Sequence, residues 1–349
     1  MSDQVGRELL QVKRFETSSG AQIFQIPVRQ FPILRGFVYL VLTSDHESGD
    51  MRVLIDSGSG FGDSNQDLED GLEAVSGQLG HRIGLEDLTH VLITHGHIDH
   101  FGGLSYVRPR TNARVGVHEF DLRNLANYEE RLTIVSRRLE NFLVEAGVPE
   151  ERGVKLIDLY KITKSLFRSV EVQFTYEAIG MQLGPFRMLH VPGHCAGHVV
   201  IRLSEVLFSG DHILKETSPH QSPEHLALFT GLDHYLESLE KLKSWAKGVR
   251  LTLGGHEDPI EDLPGRIAEI KNLHEQRVAQ VLKILDQPHT IDEISHILFG
   301  EVHGYHVLLA LEEAGAHVEY LYQRGALAID NLTELESSRK PAAIYYRRL

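Results

Sequence analysis

Cysteine and long apolar runs are both scarce in this chain of 349 residues. Its one cysteine, Cys195, excludes an internal disulfide framework and is typical of proteins in a reducing cytosol. No apolar run approaches the length of a membrane span, and residues 1–16 contain no apolar core of signal-peptide length. We therefore expect a soluble, cytoplasmic protein without a membrane partner.

Basic residues are also few, with 35 Lys and Arg against 49 Asp and Glu, for a formal net charge of −14. Binding to nucleic acid depends on Lys and Arg that neutralise phosphates. The charge therefore argues against a general affinity for nucleic acid, although it does not exclude a local basic surface.

Several catalytic motifs are missing as well. The sequence has no G-x-S-x-G nucleophile elbow, no phosphate-binding G-x-x-x-x-G-K loop and no dinucleotide fingerprint. The length is sufficient for one large domain with a buried core and a second, smaller one.

Metal-ligand residues are concentrated in the segment THGHIDHFGG, residues 94–103. Three histidines and an aspartate lie within six positions, directly after the apolar run 91–93, which is typical of a buried strand. Imidazole and carboxylate groups suit zinc, iron or manganese. Histidines also cluster at protein surfaces, but the buried strand before them and the glycine pair after them favour a metal site.

This segment resembles the H-x-H-x-D-H signature of the metallo-β-lactamase superfamily. The resemblance continues downstream in the family's order, with PGHCAGH around His194, FSGDH around Asp211 and GGH ending at His256. It implies an α+β chain folded as a four-layer αβ/βα sandwich, in which two mixed sheets are covered by helices.

The resemblance also implies a ligand set for two divalent metal ions. One ion would be held by His95, His97 and His194; the other by Asp99, His100 and His256; Asp211 would bridge them. Zinc is the first choice, with iron and manganese as alternatives. The family's chemistry would then use a hydroxide shared by the two ions, with Asp99 as a catalytic proton acceptor.

Other residues near the motifs have open assignments. Asp56 either supports the metal site, as the resemblance implies, or caps a turn. His198 is expected to support the site or begin a strand, and Cys195 to fill a tight turn rather than bind metal. The loop 212–230 is expected to line the cleft, with three histidines as surface or substrate-pocket residues: His212, His220 and His225.

The order of elements follows from apolar periodicity and turn residues. Strands are predicted at 21–28, 37–42, 51–55, 113–117, 186–191, 199–203, 206–208 and 249–253, and helices at 66–79 and 231–245. Residues 119–168 have apolar spacings of three and four and form a helical insertion. We interpret the insertion as a lid or substrate wall; a dimerisation surface or a structural helix pair is the alternative.

The C-terminal part has the element order of a winged helix. Helices are predicted at 267–285, 290–299 and 304–323, and strands at 326–329 and 342–346. This divides the chain into a hydrolase domain, 1–262, and a winged-helix domain, 263–349. Acidic residues outnumber basic ones in the second domain. We therefore expect it to complete the site or to form a homodimer, rather than to bind nucleic acid.

The substrate class is the least determined feature. A small ester, thioester or lactone is favoured, because a polyanion would be repelled by the acidic chain. The basic residues with which glyoxalase II grips glutathione have no clear counterpart, which argues against glutathione thioesters. The alternatives are an endoribonuclease or phosphodiesterase of the lactamase-like branch, and a metal-binding scaffold without catalysis.

Overall fold

The computed structural model describes residues 11–32, 34–45 and 49–349. The prediction that the N-terminus lacks a signal peptide falls largely on residues 1–10, outside these ranges, as does the centre of the polar turn at 44–50. Among the described residues, no helix combines the length and the apolar character needed to cross a membrane.

Seven strands form the first sheet and follow one another in sequence order. Strands β1 to β4 are antiparallel, whereas β4 to β7 are parallel. The strands are β1 Lys13–Glu16, β2 Gln22–Phe31, β3 Leu34–Asp45, β4 Gly49–Ile55, β5 His90–Leu92, β6 Arg114–Val117 and β7 Phe174–Thr175.

Five strands form the second sheet, in the order β12-β11-β10-β9-β8. They are β8 Gln182–Leu183, β9 Phe186–His190, β10 Val199–Leu203, β11 Val206–Gly210 and β12 Leu251–Gly254. The predicted hairpin of β10 and β11 is present, with Leu203 opposite Val206. Only β11 and β12 are parallel, and a helical crossover joins them.

Eleven helices occur in the described ranges. They are α1 Ser64–Leu79, α2 Ile98–Phe101, α3 Leu104–Val107, α4 Leu122–Ala126, α5 Tyr128–Glu145, α6 Glu150–Lys164, α7 Leu232–Trp245, α8 Leu263–Ile284, α9 Ile291–Phe299, α10 His306–Gln323 and α11 Leu332–Ser337. Helix α1 ends at Gly80, whose φ of 75° reverses the chain toward β5. Helices α1 and α7 are the crossovers that parallel strands require.

Three apolar cores divide the sandwich into layers. Ile55 of the first sheet and Phe208 of the second belong to the core between the sheets. Leu72 of α1 packs on the outer face of the first sheet, and Leu239 of α7 packs on the outer face of the second. Helices therefore cover both sheets, which confirms the predicted four-layer α+β sandwich.

A fourth core joins the insertion to the C-terminal helices. Phe142 of α5, Leu156 of α6, Val281 of α8 and Leu311 of α10 belong to one buried cluster. The first half of α8 packs instead with the second sheet, through Ile267 and neighbouring residues. The domain boundary between residues 262 and 263 stays a prediction. Helix α8, which begins directly after that boundary, contributes to both of these cores.

The C-terminal strand prediction needs correction. Three helices are followed by two antiparallel strands, β13 Leu327–Ile329 and β14 Tyr346–Arg348, so the predicted strand at 342–346 is wrong in all but its last residue. The side chain of Asn331 donates to Ala343 O and accepts from Tyr345 N–H, which occupies the backbone groups that a strand would use. The assignment as a winged helix stays a prediction.

Candidate metal centre

The loop after β5 and the short helix α2 carry four of the seven predicted ligands. His97 has extended backbone, with φ −87° and ψ 147°, and α2 then begins at Ile98. The glycine pair after α2 permits a close approach to the end of β4, since a Cβ at Gly103 would lie 2.0 Å from Ser57 O. Asp99 and His100 therefore lie on a helix held against the sheet.

The other three predicted ligands follow strands of the second sheet. His194 comes after β9, Asp211 directly after β11, and His256 after β12. Gly255 permits the convergence, because a Cβ there would lie 2.4 Å from Asp211 Oδ1. The structure thus brings all seven residues together where strands of both sheets end.

His95, His97 and His194 form the first of two clusters. One nitrogen from each ring lies within 4.8 Å of the others. His95 Nε2 and His97 Nδ1 lie 3.1 Å apart. Three imidazole nitrogens around one point are a typical donor set for a divalent transition metal.

Asp99, His100, Asp211 and His256 form the second cluster. His256 Nε2 lies 3.2 Å from Asp99 Oδ2, and His100 Nε2 lies 3.4 Å from Asp211 Oδ1. Asp211 Oδ2 is 3.4 Å from His256 Nε2 and 3.9 Å from His194 Nε2. The Asp211 carboxylate therefore lies between the two clusters, where a shared ligand is needed.

The ring nitrogens that face away from the clusters have protein partners. His100 Nδ1 lies 2.8 Å from Asp56 Oδ2, His194 Nδ1 lies 2.7 Å from His220 O, and His256 Nδ1 lies 2.6 Å from Arg35 O. A ring that donates from Nδ1 presents an Nε2 lone pair on its opposite side, so these contacts orient three rings as ligands.

Unpartnered buried atoms provide a test of metal binding. His100 Nε2, His194 Nε2 and Asp211 Oδ1 are buried and have no hydrogen-bond partner among the described residues. Burying a polar atom without a partner costs about 1–3 kcal/mol, and more for a charged group. A cation in each cluster would remove this cost, so the residues fit two metal ions.

Burial and neighbouring charges set the protonation states of the residues in the two clusters. Burial holds the pKa of His95 and His97 well below the usual value, so both rings are neutral near pH 7. Burial acts to raise the pKa of the Asp211 carboxyl, yet His256 and His100 hold it well below its usual range. Burial acts to lower the pKa of His100 and His256, yet Asp211 and the neighbouring carboxylates hold it well above the usual value. His95, His97 and Asp211 therefore already have the forms that bind metal, whereas His100 and His256 would release a proton when metal binds.

Asp56 connects β4 to two parts of the metal motif. Its carboxylate contacts His100 Nδ1 and accepts from Thr94 N–H at 2.8 Å, and the Thr94 hydroxyl donates to it at 2.9 Å. Its φ of 61° is in the left-handed region, where Asp and Asn are tolerated better than most residues. This geometry agrees with the supporting role that the resemblance implied.

Asp56→Asn should weaken metal binding about 10–100-fold, the range typical for an outer partner of a ligand. Asparagine keeps the shape and tolerates the backbone conformation, but it removes the negative charge beside His100. Competition with a chelator would measure the affinity, with Asp158→Asn on the exposed face of α6 as control. An unchanged affinity in Asp56→Asn would contradict the assignment.

His198 and His212 lie behind the clusters. The His198 ring stacks on His95, with centroids 4.5 Å apart, and its Nε2 accepts from Asp211 N–H at 3.1 Å. It therefore supports a ligand, as expected. For His212 the expectation of a surface or pocket position is wrong, because the ring is fully buried between His198 and Tyr235.

Asp121 is a residue whose role the sequence did not reveal. Its carboxylate accepts from Gly96 N–H at 2.7 Å and from Gly197 N–H at 3.0 Å, and the Cys195 thiol lies 3.3 Å away. It therefore joins the loop of His95 and His97 to the loop of His194. A signal for this role was present in the sequence, since Asp121 is an acidic residue shortly after β6. Strand β6 is the parallel neighbour of β5, and the carboxyl ends of parallel strands meet at one edge of the sheet.

Cys195→Ser should keep most of the metal content and activity. Burial and the Asp121 carboxylate raise the pKa of the thiol well above its usual value, so it acts as a donor to Asp121. A serine hydroxyl can make the same contact. Metal analysis and turnover would be measured together; loss of turnover with metal still bound would indicate a covalent thiol mechanism.

Three glutamates of α10 bind the loop that carries His220. Glu313 accepts from Gln221 N–H at 2.7 Å, Glu312 from the Ser222 hydroxyl at 2.7 Å, and Glu319 from Glu224 N–H at 2.6 Å. The His220 carbonyl in this loop is the partner of His194. The acidic residues of α10 thus help to position a predicted ligand, in agreement with a site-completing role.

A third histidine cluster, formed by His274, Glu313 and His317, differs from the other two. The Ser218 hydroxyl lies 2.9 Å from His274 Nε2, His274 Nδ1 lies 3.2 Å from His317 Nε2, and His317 Nδ1 lies 2.7 Å from Glu313 O. Arg277 donates to the Glu313 carboxylate. Every ring nitrogen has a partner here, so this cluster is a hydrogen-bonded chain between helices.

Comparison with known proteins gives the same picture. The profile of the Metallo-beta-lactamase superfamily matches residues 34–256. The chain is 25% identical over 303 residues to the Bacillus subtilis "Probable metallo-hydrolase YqjP", covering 83% of this chain and 88% of that protein. It is 26% identical over 242 residues to the "Atrochrysone carboxyl ACP thioesterase dmxR1" of a Cryptosporiopsis species, covering 69% of this chain and 56% of that protein.

A solved structure resembles the chain over nearly its full length. A metallo-beta-lactamase family protein from Thermus thermophilus has a TM-score of 0.68 and 27% identity, with 94% of this chain and 98% of that chain covered. The likeness therefore includes the C-terminal helices as well as the sandwich.

Proposed function

The chain belongs to the metallo-β-lactamase superfamily and is a hydrolase of that superfamily, and from this premise we propose that it uses two divalent metal ions to hydrolyse a small thioester, ester or lactone. The observation that carries the dinuclear proposal is the position of Asp211 between two clusters. Three inward atoms of these clusters have no hydrogen-bond partner among the described residues: His100 Nε2, His194 Nε2 and Asp211 Oδ1. We assign the metal ligands as His95, His97 and His194 for one ion, Asp99, His100 and His256 for the other, and Asp211 for both.

The metal ions would supply, when bound, a nucleophilic water near neutral pH and a Lewis acid for the substrate oxygen. Zinc is the first choice, and the donor set also suits iron or manganese. In the reaction, water adds its oxygen to the acyl carbon, the bond to the leaving sulfur or oxygen breaks, and a carboxylic acid and a thiol or alcohol result.

Asp99 is the residue we assign to proton transfer. Its Oδ2 faces His256 Nε2, whereas its Oδ1 makes no hydrogen bond within the described part of the chain. Oδ1 can therefore take the proton that the attacking water loses and return it to the leaving group.

The insertion and the C-terminal helices reach the metal centre. The insertion contacts the loop of His95 and His97, because a Cβ at Gly96 would lie 2.5 Å from Asn124 Nδ2 of α4. Tyr305 directly precedes α10, and burial, followed by the charges of Glu312 and Asp99, raises its pKa. Lys164, at the end of α6, lies with its Nζ 5.6 Å from the centroid of the Tyr305 ring. This arrangement supports the interpretation of the insertion as a substrate wall, and a wall of this kind suits a compact acyl group better than an extended strand of RNA.

A comparison of substrates at two salt concentrations tests this function. We expect metal-dependent hydrolysis of an acyl thioester or ester at a rate that changes little with salt. Cleavage of single-stranded RNA would instead weaken steeply as salt rises, because each phosphate contact releases counterions. RNA cleavage without turnover of any acyl substrate would overturn the proposal. Metal binding without turnover of RNA or of an acyl substrate would indicate a metal-binding scaffold without catalysis.

A further inference from the structure

A groove lies beside the metal centre, between helices α4 and α5 and the loop 212–230. It has a volume of about 280 Å³, and its lining includes Asn124 and Ala196. Both residues connect it to the centre: Ala196 follows Cys195 in the His194 loop, and a Cβ at Gly96 would lie 2.5 Å from Asn124 Nδ2. The groove therefore begins where the loops of the first metal cluster meet.

Three arginines give this groove a positive charge. Arg131 and Arg138 lie on one face of α5, seven residues apart, and Arg123 lies on α4. Among the described residues, none of the three forms an ion pair, and Glu130 is the one carboxylate in the lining. Arg131 donates to Asn124 Oδ1 and Arg138 to Leu226 O, and these neutral acceptors leave the positive charge in place. Three arginines without an ion pair in one groove are unexpected in a chain with a net charge of −14.

The same groove has an exposed apolar side. The rings of Phe120 and Phe229 stack in parallel, with centroids 4.6 Å apart and an interplanar angle of 1°. Leu228 is 65% exposed and Ile134 is 43% exposed, although both are large apolar residues. Contiguous exposed apolar residues are typical of a surface that binds a ligand.

We propose that this groove binds a phosphate-bearing arm on the leaving group of a thioester substrate, as in a phosphopantetheine thioester. The inference rests on the proposed acyl hydrolysis and specifies its substrate. The ligand must match two properties of the groove. It needs a negative charge that three guanidinium groups can neutralise, and an uncharged segment that can lie on the apolar side chains.

A phosphate monoester meets the first requirement. It carries a charge near −2 at neutral pH and three acceptor oxygens, whereas one carboxylate would leave most of the arginine donors unused. The amide and alkyl parts of a pantetheine arm meet the second requirement, with Asn127 in the lining for the amides, whereas Asn124 is already hydrogen-bonded to Asp121 and Arg131. The groove volume approaches the lower end of the usual range for ligand pockets, about 300–1,000 Å³.

The test compares two thioesters that differ only in the phosphate: S-hexanoyl-4′-phosphopantetheine and S-hexanoyl-pantetheine. We expect kcat/KM to be at least about tenfold higher for the phosphorylated form, because charge-assisted hydrogen bonds are the stronger kind. Arg138→Gln should remove most of this preference, with a larger loss of kcat/KM for the phosphorylated form than for the phosphate-free form. Arg137→Gln, on the neighbouring exposed position outside the groove, is the matched control.

A binding measurement separates the groove from catalysis. Titration with 4′-phosphopantothenate, which has no thiol to bind metal, should show an affinity that pantothenate lacks and that Arg138→Gln reduces about tenfold. Coenzyme A thioesters carry the same arm with its phosphate in a diphosphate linkage, and carrier-protein thioesters carry it with the phosphate as a diester. Turnover of either that depends on Arg138 supports the inference, and the one that is hydrolysed faster identifies the source.

Three outcomes would be decisive against it. Equal hydrolysis of both hexanoyl thioesters, unaffected by Arg138→Gln, would overturn the groove assignment while the proposed function stands. No hydrolysis of any thioester, ester or lactone would instead reject the proposed function. Arg138-dependent binding of an RNA oligonucleotide, without binding of 4′-phosphopantothenate, would assign the groove to a polynucleotide.

Discussion

Asp211→Ala should reduce the metal content from about two ions per chain to nearly none. Its carboxylate is the group nearest to both clusters, with one oxygen 3.4 Å from His256 Nε2 and 3.9 Å from His194 Nε2. Without it, each ion would lose a charged ligand, and the positive charges of two ions would face each other without a carboxylate between them. Metal analysis after dialysis against a metal-replete buffer measures the effect.

A matched control distinguishes loss of metal from loss of fold. Asp158→Ala removes an exposed aspartate of α6 and should keep both ions. The Asp211→Ala protein should also retain its circular dichroism, because its sheets pack through apolar cores that the substitution does not touch. One or no ion in the unmodified protein would contradict the dinuclear proposal, as would two ions in Asp211→Ala.

His97→Ala should lower kcat for an acyl substrate by about a thousandfold, since loss of even an outer partner of a ligand costs about 10–100-fold. Nδ1 of His97 is one of three nitrogens in the first cluster, and it points at His95 Nε2 from 3.1 Å. A cluster with two nitrogens would hold its ion loosely and misplace it relative to the substrate.

The control for His97→Ala is His81→Ala, which removes an exposed histidine between α1 and β5 that belongs to neither cluster. Its kcat should equal that of the unmodified protein. Turnover of the acyl substrate in His97→Ala at close to the normal rate would show that the first cluster is not the catalytic centre.

The seven proposed ligands could be predicted from sequence because their signals are local. Each lies in a short motif at the end of a strand, and the strands around His95 and Asp211 could be identified from apolar residues alone. Helices α7 to α10 were predicted for the same reason, since their apolar spacing is regular over two or more turns. The family resemblance then supplied the pairing of motifs that periodicity cannot give.

The contacts that support the ligands could not be predicted, because their partners are distant in sequence. Asp121 binds Gly197, 76 residues away, and Glu313 binds Gln221, 92 residues away. From the sequence, the glutamates of α10 indicated only that this helix has no basic surface for nucleic acid. In the structure they are acceptors for backbone N–H groups and a serine hydroxyl of another loop, and no local pattern distinguishes these two uses.

Two further errors have similar physical causes. His212 follows a ligand in a polar loop, which suggested exposure, but its ring fills space between His198 and Tyr235. The segment 342–346 has strand-like residues, yet the Asn331 side chain takes the hydrogen bonds that would define a strand. In both cases a tertiary contact overrides a local preference.

The loop that carries His220 has contacts with both the metal centre and α10. The His220 carbonyl contacts the ring of His194, and the N–H group of the next residue, Gln221, donates to Glu313 of α10. Ligand orientation and docking of the C-terminal helices are therefore thermodynamically linked, and linkage is reciprocal. We therefore expect an effector that loosens α10 from this loop to weaken metal binding, and loss of the metal to weaken the docking of α10 by the same factor. A ligand bound on a distant surface of the C-terminal helices would then change the occupancy of the metal centre.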